Sequence, residues 1–293
     1  MKQTIPPSTL IYNADGSIYH LNLHREQVAP VLLLVGDPDR VPRVSKYFDK
    51  IDFKIQKREF VTHTGWLGGR RLSVISTGIG TDNIDIVLNE LDALFNIDPA
   101  TRQVKDELVQ LDFIRIGTSG VFSKEIPVDS MVASVYGIGL DCLLRYYEFR
   151  PNASEKALAT GFNDLAKNHG LPLTAIAVAG SPGLLEEVAA NMHRGITLSC
   201  PGFYGPQGRS LRLPSVLRSS FFPAAGSFRF DGVPLTNFEM ETSAIYGLSR
   251  LLGHRALSCN ALIANRITNQ FSKDPKATVE RLIREVLEKL SPK

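Results

Sequence analysis

The chain has few cysteines and no long apolar run, and each scarcity excludes a class of protein. Cys142, Cys200 and Cys259 are far apart, so they form neither a CxxC metal pattern nor a disulfide framework. No stretch approaches the roughly 20 apolar residues of a membrane span, and the first residues lack the apolar core of a secretion signal. We therefore expect a cytosolic protein with buried thiols, no metal site and no membrane insertion.

Concentrated positive charge is also missing. The formal net charge is only +3, and the basic residues are scattered instead of clustered with aromatic side chains. A nucleic-acid-binding face usually shows such clusters, so we expect no nucleic-acid partner. The 293 residues contain no linker, repeat or low-complexity tract. They could form two domains or one large domain, and we expect a single domain over residues 1–293.

Apolar runs and helical periodicity alternate along the chain, which predicts an α/β protein. Strands are predicted at 31–35, 71–75, 113–116, 131–136 and 173–178, and helices at 41–48, 81–95, 154–168, 183–193, 242–252 and 278–290. A further apolar segment covers 256–264. Asp39 could cap the helix at 41–48. Periodicity fails over residues 201–236, where we expect a lid or base-reading wall over a pocket. The alternative is a surface insertion.

Arginines lie in four segments that are otherwise weakly charged, namely GDPDR (36–40), KREF (57–60), FIRIGT (113–118) and FYGPQGR (203–209). GDPDR and RIGT follow or end predicted strands, and ligands of open α/β sheets collect beyond the carboxyl ends of strands. Gly36 permits backbone approach, Arg40 and Arg115 supply charge, and Thr118 adds a hydroxyl group. Together they suit a phosphate ion.

Each of these motifs also has a structural alternative. GDPDR by itself is typical of a turn that starts a helix. Arg115 interrupts an apolar strand, so it needs an anion, an acidic partner or solvent, and a structural ion pair would satisfy it. In NFEMETS, Glu241 stands at a helix start, where it could cap backbone N–H groups or accept hydrogen bonds from sugar hydroxyls while Met240 packs on the sugar.

Taken in order, the motifs YHL, GDPDR, KREF, STGIG, FIRIGT, FYxxQxR, NFEME and ANR resemble those of the nucleoside phosphorylase family, in its uridine phosphorylase branch. The resemblance runs from His20 to Arg266. It implies one nucleoside phosphorylase-like domain with a central mixed β-sheet flanked by helices. It also implies reversible phosphorolysis of uridine, with deoxyuridine or thymidine as further substrates, and no organic cofactor.

The resemblance assigns roles residue by residue. Phosphate is implied to be held by Gly36, Arg40, Arg115 and Thr118, with Arg58 donated by a neighbouring subunit. The ribose is implied to contact Met240 and Glu241, with His20 reaching across a dimer interface. The base is implied to contact Phe203, Gln207 and Arg209. Among these, Arg115, Glu241 and Arg209 are the expected catalytic residues.

The shared site implies a homo-oligomer, a dimer or a hexamer, and some relatives bind a monovalent cation through the position of Glu59. Purine-cleaving relatives carry a Ser-Asp pair where this chain has Ala264-Asn265-Arg266, which favours pyrimidines. Three alternatives stay open: a purine nucleoside phosphorylase, a hydrolytic nucleosidase, and a catalytically silent nucleoside sensor.

Overall fold

The computed structural model describes residues 3–171, 173–218 and 220–291. These residues form seven α-helices: α1 Arg40–Ser45, α2 Thr81–Asn96, α3 Ala153–Asn168, α4 Pro182–Ala189, α5 Phe221–Ser227, α6 Thr242–Leu251 and α7 Pro275–Leu290. The strands are β1 Val31–Val35, β2 Lys50–Lys57, β3 Phe60–Leu67, β4 Arg70–Ser76, β5 Ile97–Asp98, β6 Gln103–Val104, β7 Asp112–Val121, β8 Met131–Gly139, β9 Ile176–Ala179, β10 His193–Ser199, β11 Arg229–Phe230, β12 Val233–Glu239, β13 Arg255–Asn265 and β14 Gln270–Phe271. Among the described residues, no helix combines the length and the apolar character needed to cross a bilayer.

Twelve strands form one mixed sheet in the order β11-β12-β10-β8-β13-β7-β1-β4-β3-β2, with β9 on β8 and β14 on β13. Strand β12 also pairs with β7, antiparallel, through Phe238 and Gly120. One half of the sheet therefore closes on itself, whereas β4, β3 and β2 extend it as an antiparallel wing. This closure explains why residue 120 is a glycine, because a Cβ there would lie only 2.9 Å from the Phe238 ring.

Strands β1, β7 and β13 lie side by side and run parallel. Their carboxyl halves consequently reach one edge of the sheet, where Gly36 follows β1 and Thr118 lies in β7. Helix α6 begins at the same edge, directly after β12. This arrangement brings together segments that are far apart in sequence.

Apolar side chains bury both faces of the sheet. One core lies under α1, α4 and α7, and a second lies under α2 and α6. A third packs α3 and α5 against the closed half of the sheet. These helices leave the edge beyond β1 and β7 uncovered.

The predicted α/β fold with a mixed central sheet is confirmed, with several local corrections. Strands β2, β3, β10 and β12 were not predicted, and the helix expected to run to residue 193 ends at Ala189. Residues 117–120, expected to form a loop, continue β7. Asp39 makes no side-chain capping bond to α1. Cys200 and Cys259 are buried as expected, but Cys142 is exposed.

Candidate active site

A cavity of about 700 Å³ lies beyond the carboxyl ends of the parallel strands. Nine of the eleven residues predicted for the site line it: Gly36, Arg40, Arg115, Thr118, Phe203, Gln207, Arg209, Met240 and Glu241. His20 and Arg58 are not among the lining residues. These nine residues thus come together from four separate segments of the chain.

Arg115 lies at the floor of this cavity and is buried in an ion-pair network. Its Nη1 donates to Oδ1 of Asn260 at 2.7 Å, and its Nη2 lies 2.5 Å from Glu241 and 3.1 Å from Glu239. Burial disfavours the guanidinium charge, but the two carboxylates outweigh burial and raise the pKa of Arg115. The acidic partner that the sequence suggested for Arg115 therefore exists, and Arg115 also lines the cavity.

Gly117 makes room for that guanidinium group. A Cβ on Gly117 would lie 1.7 Å from Nη1 of Arg115 and 2.8 Å from Oδ1 of Asn260. The glycine of the RIGT motif is thus required for the arginine to fold back along its own strand.

Arg40 is a second buried cation, and carboxylates surround it less closely than they surround Arg115. Its Nη1 donates to the carbonyl oxygen of Ile116 at 3.0 Å, whereas its Nε is buried without a hydrogen-bond partner among the described residues. Burial, followed by repulsion from Arg115, lowers its pKa to about 10. The guanidinium is still protonated at neutral pH, and an unpartnered buried donor of this kind favours an anion in the cavity.

Glu239 and Glu241 divide two tasks at the start of α6. Both Glu239 oxygens accept the backbone N–H of Thr242, so this carboxylate caps the helix. Glu241 makes no capping bond to α6; it accepts the N–H of Gly80 at 2.8 Å and the Arg115 hydrogen bond. Burial is the main cause that raises the pKa of Glu241; Arg115 opposes the shift and Glu239 adds to it. Of the two alternatives for Glu241, capping is therefore wrong.

The opposite wall is a loop. Gln207 is buried in a short 3-10 turn (Gly205–Gln207), and its Oε1 accepts a hydrogen bond from Nη1 of Arg209. The Arg209 guanidinium stacks 3.9 Å from the centre of the Phe203 ring, which is half exposed. Burial and the nearby Arg266 cation lower the pKa of Arg209. This wall offers cationic and amide donors beside an aromatic face.

Arg266 is a residue whose role the sequence did not reveal. Its two terminal nitrogens donate to the carbonyl oxygens of Gln207 and Gly208, at 3.2 and 3.3 Å. Gly208 adopts a left-handed conformation with φ of 65°. Arg266 therefore fastens the base-wall loop to the end of β13, and the ANR motif was the signal that could have identified it.

His20 and Arg58, the two predicted residues that do not line the cavity, lie elsewhere on the surface. His20 bonds through Nδ1 to Glu90 at 2.5 Å. Arg58 is exposed, with φ of 55°, in the turn between β2 and β3. Its neighbour Glu59 does line the cavity. Neither His20 nor Arg58 completes the cavity of its own chain.

Comparison with known proteins defines the class. Residues 30–291 match the family model described as the phosphorylase superfamily, and the chain belongs to that family. The uridine phosphorylase of Thermococcus kodakarensis is 32% identical over 262 residues, covering 88% of this chain and 81% of the relative. That of Haemophilus influenzae is 25% identical over 282 residues, covering 93% and 96%.

A solved structure shares the fold throughout. It is the Trypanosoma brucei nucleoside phosphorylase, described as showing uridine phosphorylase activity. The two structures superpose with a TM-score of 0.87 and 28% identity, over 96% of this chain and 99% of the other. The nucleoside phosphorylase fold predicted from the motifs is thereby confirmed.

Proposed function

We propose that the protein catalyses reversible phosphorolysis of uridine to uracil and ribose 1-phosphate. The observation that carries the proposal is the meeting in one cavity of a buried arginine pair, a fixed carboxylate, and a donor-rich loop. These parts suit, respectively, a phosphate ion, sugar hydroxyls and a carbonyl-bearing base. The relatives named as uridine phosphorylases support the same reaction.

Phosphate lies, in this proposal, between Arg40 and Arg115, near Gly36 and Thr118. The unpartnered Nε of Arg40 supplies a donor with no competing protein acceptor. Arginine forks position the phosphate oxygens in pairs, and holding the nucleophile beside the sugar lowers the entropic part of the barrier.

The ribose lies over Met240, with its hydroxyl groups donating to Glu241. Gly80 and Arg115 each occupy one oxygen of this carboxylate, which fixes its orientation while each oxygen keeps a further lone pair. The phosphate oxygen attacks C1′ as the C1′–N1 bond breaks. The negative phosphate stabilises the oxocarbenium-like sugar, and the bond electrons leave with the base.

The base lies against Phe203, where Arg209 and Gln207 face its carbonyl edge. Donors from these side chains stabilise the negative charge that develops on the uracil oxygens. The chain carries Ala264-Asn265-Arg266 in place of the Ser-Asp pair of purine-cleaving relatives, which favours pyrimidines over purines. Deoxyuridine and thymidine are further candidate substrates.

The active unit is, in this proposal, a homo-oligomer. His20 and Arg58 do not reach their own cavity, and this supports their donation from one subunit to the site of another. The monovalent cation near Glu59 and the cytosolic location stay predictions.

The direct test is product analysis of uridine incubated with the protein, with and without phosphate, alongside inosine and thymidine. Phosphate-dependent uracil release is expected. Preferential cleavage of inosine would contradict base reading by Gln207 and Arg209. Phosphate-independent cleavage would indicate a nucleosidase, and uridine binding without product would indicate a sensor.

A further inference from the structure

A second cavity, of about 220 Å³, lies at the opposite edge of the sheet. Strand β13 begins beside it, at Arg255, and ends beside the candidate active site, at Asn265. The other walls are the last turns of α6 and the loop that leads from β9 into α4. Its lining includes Tyr246, Ser249, Arg250, His254, Arg255 and Ser181.

Unpartnered buried donors are concentrated in this cavity. Among the described residues, five buried side-chain nitrogen or oxygen atoms have no hydrogen-bond partner. Three belong to the lining: Oγ of Ser249, Nη2 of Arg250 and Nε2 of His254. A fourth, Nε of Arg40, belongs to a residue that lines the candidate active site. Nε2 of His254 has the Asp92 carboxylate 3.2 Å away, so Oγ of Ser249 and Nη2 of Arg250 carry the argument. Because buried polar groups are almost always paired, these two atoms in one small cavity indicate a partner molecule.

These atoms are donors, or in the case of Ser249 can act as one. Nδ1 of His254 accepts the N–H of Leu111, so the ring hydrogen resides on Nε2. That nitrogen lies 3.2 Å from Asp92 but outside hydrogen-bond geometry. Ser249 is only 1% exposed.

The two arginines are already anchored by carboxylates, each through part of its guanidinium group. Arg250 gives Nη1 to the buried Glu155, and Arg255 gives Nε and Nη2 to Asp112. Nη2 of Arg250 and Nη1 of Arg255 take no part in these carboxylate hydrogen bonds. Because the carboxylates offset the charge of the arginines, directed hydrogen bonds rather than net charge would determine affinity.

We propose that this cavity binds a small oxyanion of the size of phosphate or sulfate. A ligand rich in acceptors matches the donors on its walls, and the volume is below the 300–1,000 Å³ or so that is usual for drug-sized ligands. The site is separate from the cavity proposed to bind substrate, and it does not depend on uridine phosphorolysis.

The test is calorimetric titration of inorganic phosphate into the full-length protein, with two phosphate ions expected per chain. Ser249→Ala and Arg250→Lys each remove one unpartnered donor and should weaken one of the two binding events about tenfold, since hydrogen bonds to charged groups are the stronger ones. Lysine keeps a cation beside the buried Glu155, which protects folding. Arg194→Lys, on the surface ion pair with Glu186, is the matched control and should leave both events unchanged.

A crystal soaked in selenate supplies a second measurement that needs no variant, because anomalous scattering locates selenium. Selenium between Ser249 and Arg250, together with two phosphate ions per chain in solution, supports the proposal. One phosphate per chain overturns the proposal when that single binding event is unchanged in both variants, and selenium seen in the cavity would then be an adventitious ion only. A single event that either variant weakens places phosphate in the second cavity and supports the proposal. Unchanged affinities in both folded variants would also overturn it.

Discussion

The phosphate and ribose side of the candidate active site is held by strand and helix ends, whereas the base side is held by a loop. Arg115 and Glu241 are buried, and each hydrogen bonds to groups from other elements of the fold. Phe203 and Arg209 lie in a turn-rich segment, and Phe203 is half exposed. Substituting a side chain that the sheet holds in place disturbs the fold, whereas substituting a side chain of a loop has little effect on stability. The chemistry common to the family is therefore expected on the rigid side and substrate choice on the loop.

The largest effect should come from Arg115→Lys on the rigid side. Lysine keeps one charge but loses the planar fork that joins Asn260 and Glu241 and that is proposed to bind phosphate, so kcat/KM for uridine should fall about 1,000-fold. Thermal stability should also fall, because Glu239 and Glu241 lose part of their neutralisation. Steady-state kinetics and thermal unfolding measure the two effects. A loss of less than tenfold would contradict the proposed role.

On the loop side, Arg209→Ala should lower kcat/KM for uridine about 100-fold, since it removes one donor to the developing charge on the base. KM for phosphate and thermal stability should change little. Arg212→Ala, an exposed arginine of the same loop, is the matched control. If stability fell as much as in Arg115→Lys, the contrast between the two sides would fail.

The hydrogen bonds from Arg266 to the loop are tested by Arg266→Met, which removes both donors to the carbonyl oxygens of Gln207 and Gly208. Losing these two hydrogen bonds should loosen residues 203–209 and lower kcat/KM for uridine about tenfold. Hydrogen exchange should accelerate in that segment but not in β7. Unchanged exchange would show that the loop is held by other contacts.

Lowering the pH should reduce activity through protonation of Glu241, on the rigid side of the site. The pKa of Glu241 is raised, so its carboxylate gains a proton at a higher pH than an ordinary glutamate and then accepts fewer hydrogen bonds from the ribose. We expect kcat/KM to fall as pH drops through that pKa, by about tenfold per pH unit. Glu241→Gln should be less active and should lack this acid limb. An identical pH profile in the variant would assign the limb to another group.

The smallest effect lies far from both sides. Burial raises the pKa of Glu280 on α7, but hydrogen bonds from Lys46, Tyr47 and Arg43 together outweigh burial and lower this pKa to about 2. A depressed pKa contributes stability that is present above the ordinary value and lost as pH falls towards about 2. Glu280→Gln should therefore cost about 1 kcal/mol at pH 7, discounted for solvent screening. The cost should shrink as pH falls below the ordinary pKa of glutamate and should vanish only below about pH 2 in acid unfolding, and activity should not change.

Several strands escaped prediction for identifiable reasons. Strand β2 carries the period-two pattern KIDFKIQK, a signal that the sequence does contain, but its many charges conceal it. Only three residues separate the end of α4 at Ala189 from the start of β10 at His193, and the helical pattern was extended across that short connection. Gly195 within β10 lies against Thr236, since a Cβ there would be 2.2 Å from Oγ1, a contact that only the folded chain reveals.

Some residues of the candidate site could likewise be predicted from the sequence, and others could not. Nine predicted residues do share one cavity. For GDPDR and RIGT the rule that ligands collect beyond strand ends could be applied to the sequence. The base residues Phe203, Gln207 and Arg209 came from the family resemblance, because the strand before them was not predicted. The ANR motif marked Arg266, but its role escaped because its partners are backbone carbonyl groups, which leave no pattern in the side chains.

The sequence by itself determined the class of fold, the order of the motifs and the types of side chain available for phosphate, sugar and base. The class of fold follows from periodicity and local residue chemistry, which act over a few residues, and the roles toward sugar and base follow from the ordered motifs and the family that they resemble. Only the tertiary structure decided that Glu239 caps α6 while Glu241 faces the cavity, and that Arg40 keeps an unpartnered donor. It also brought Ser249 and Arg250 beside a second cavity. Such facts depend on which distant groups reach each atom, and packing decides that for the chain as a whole.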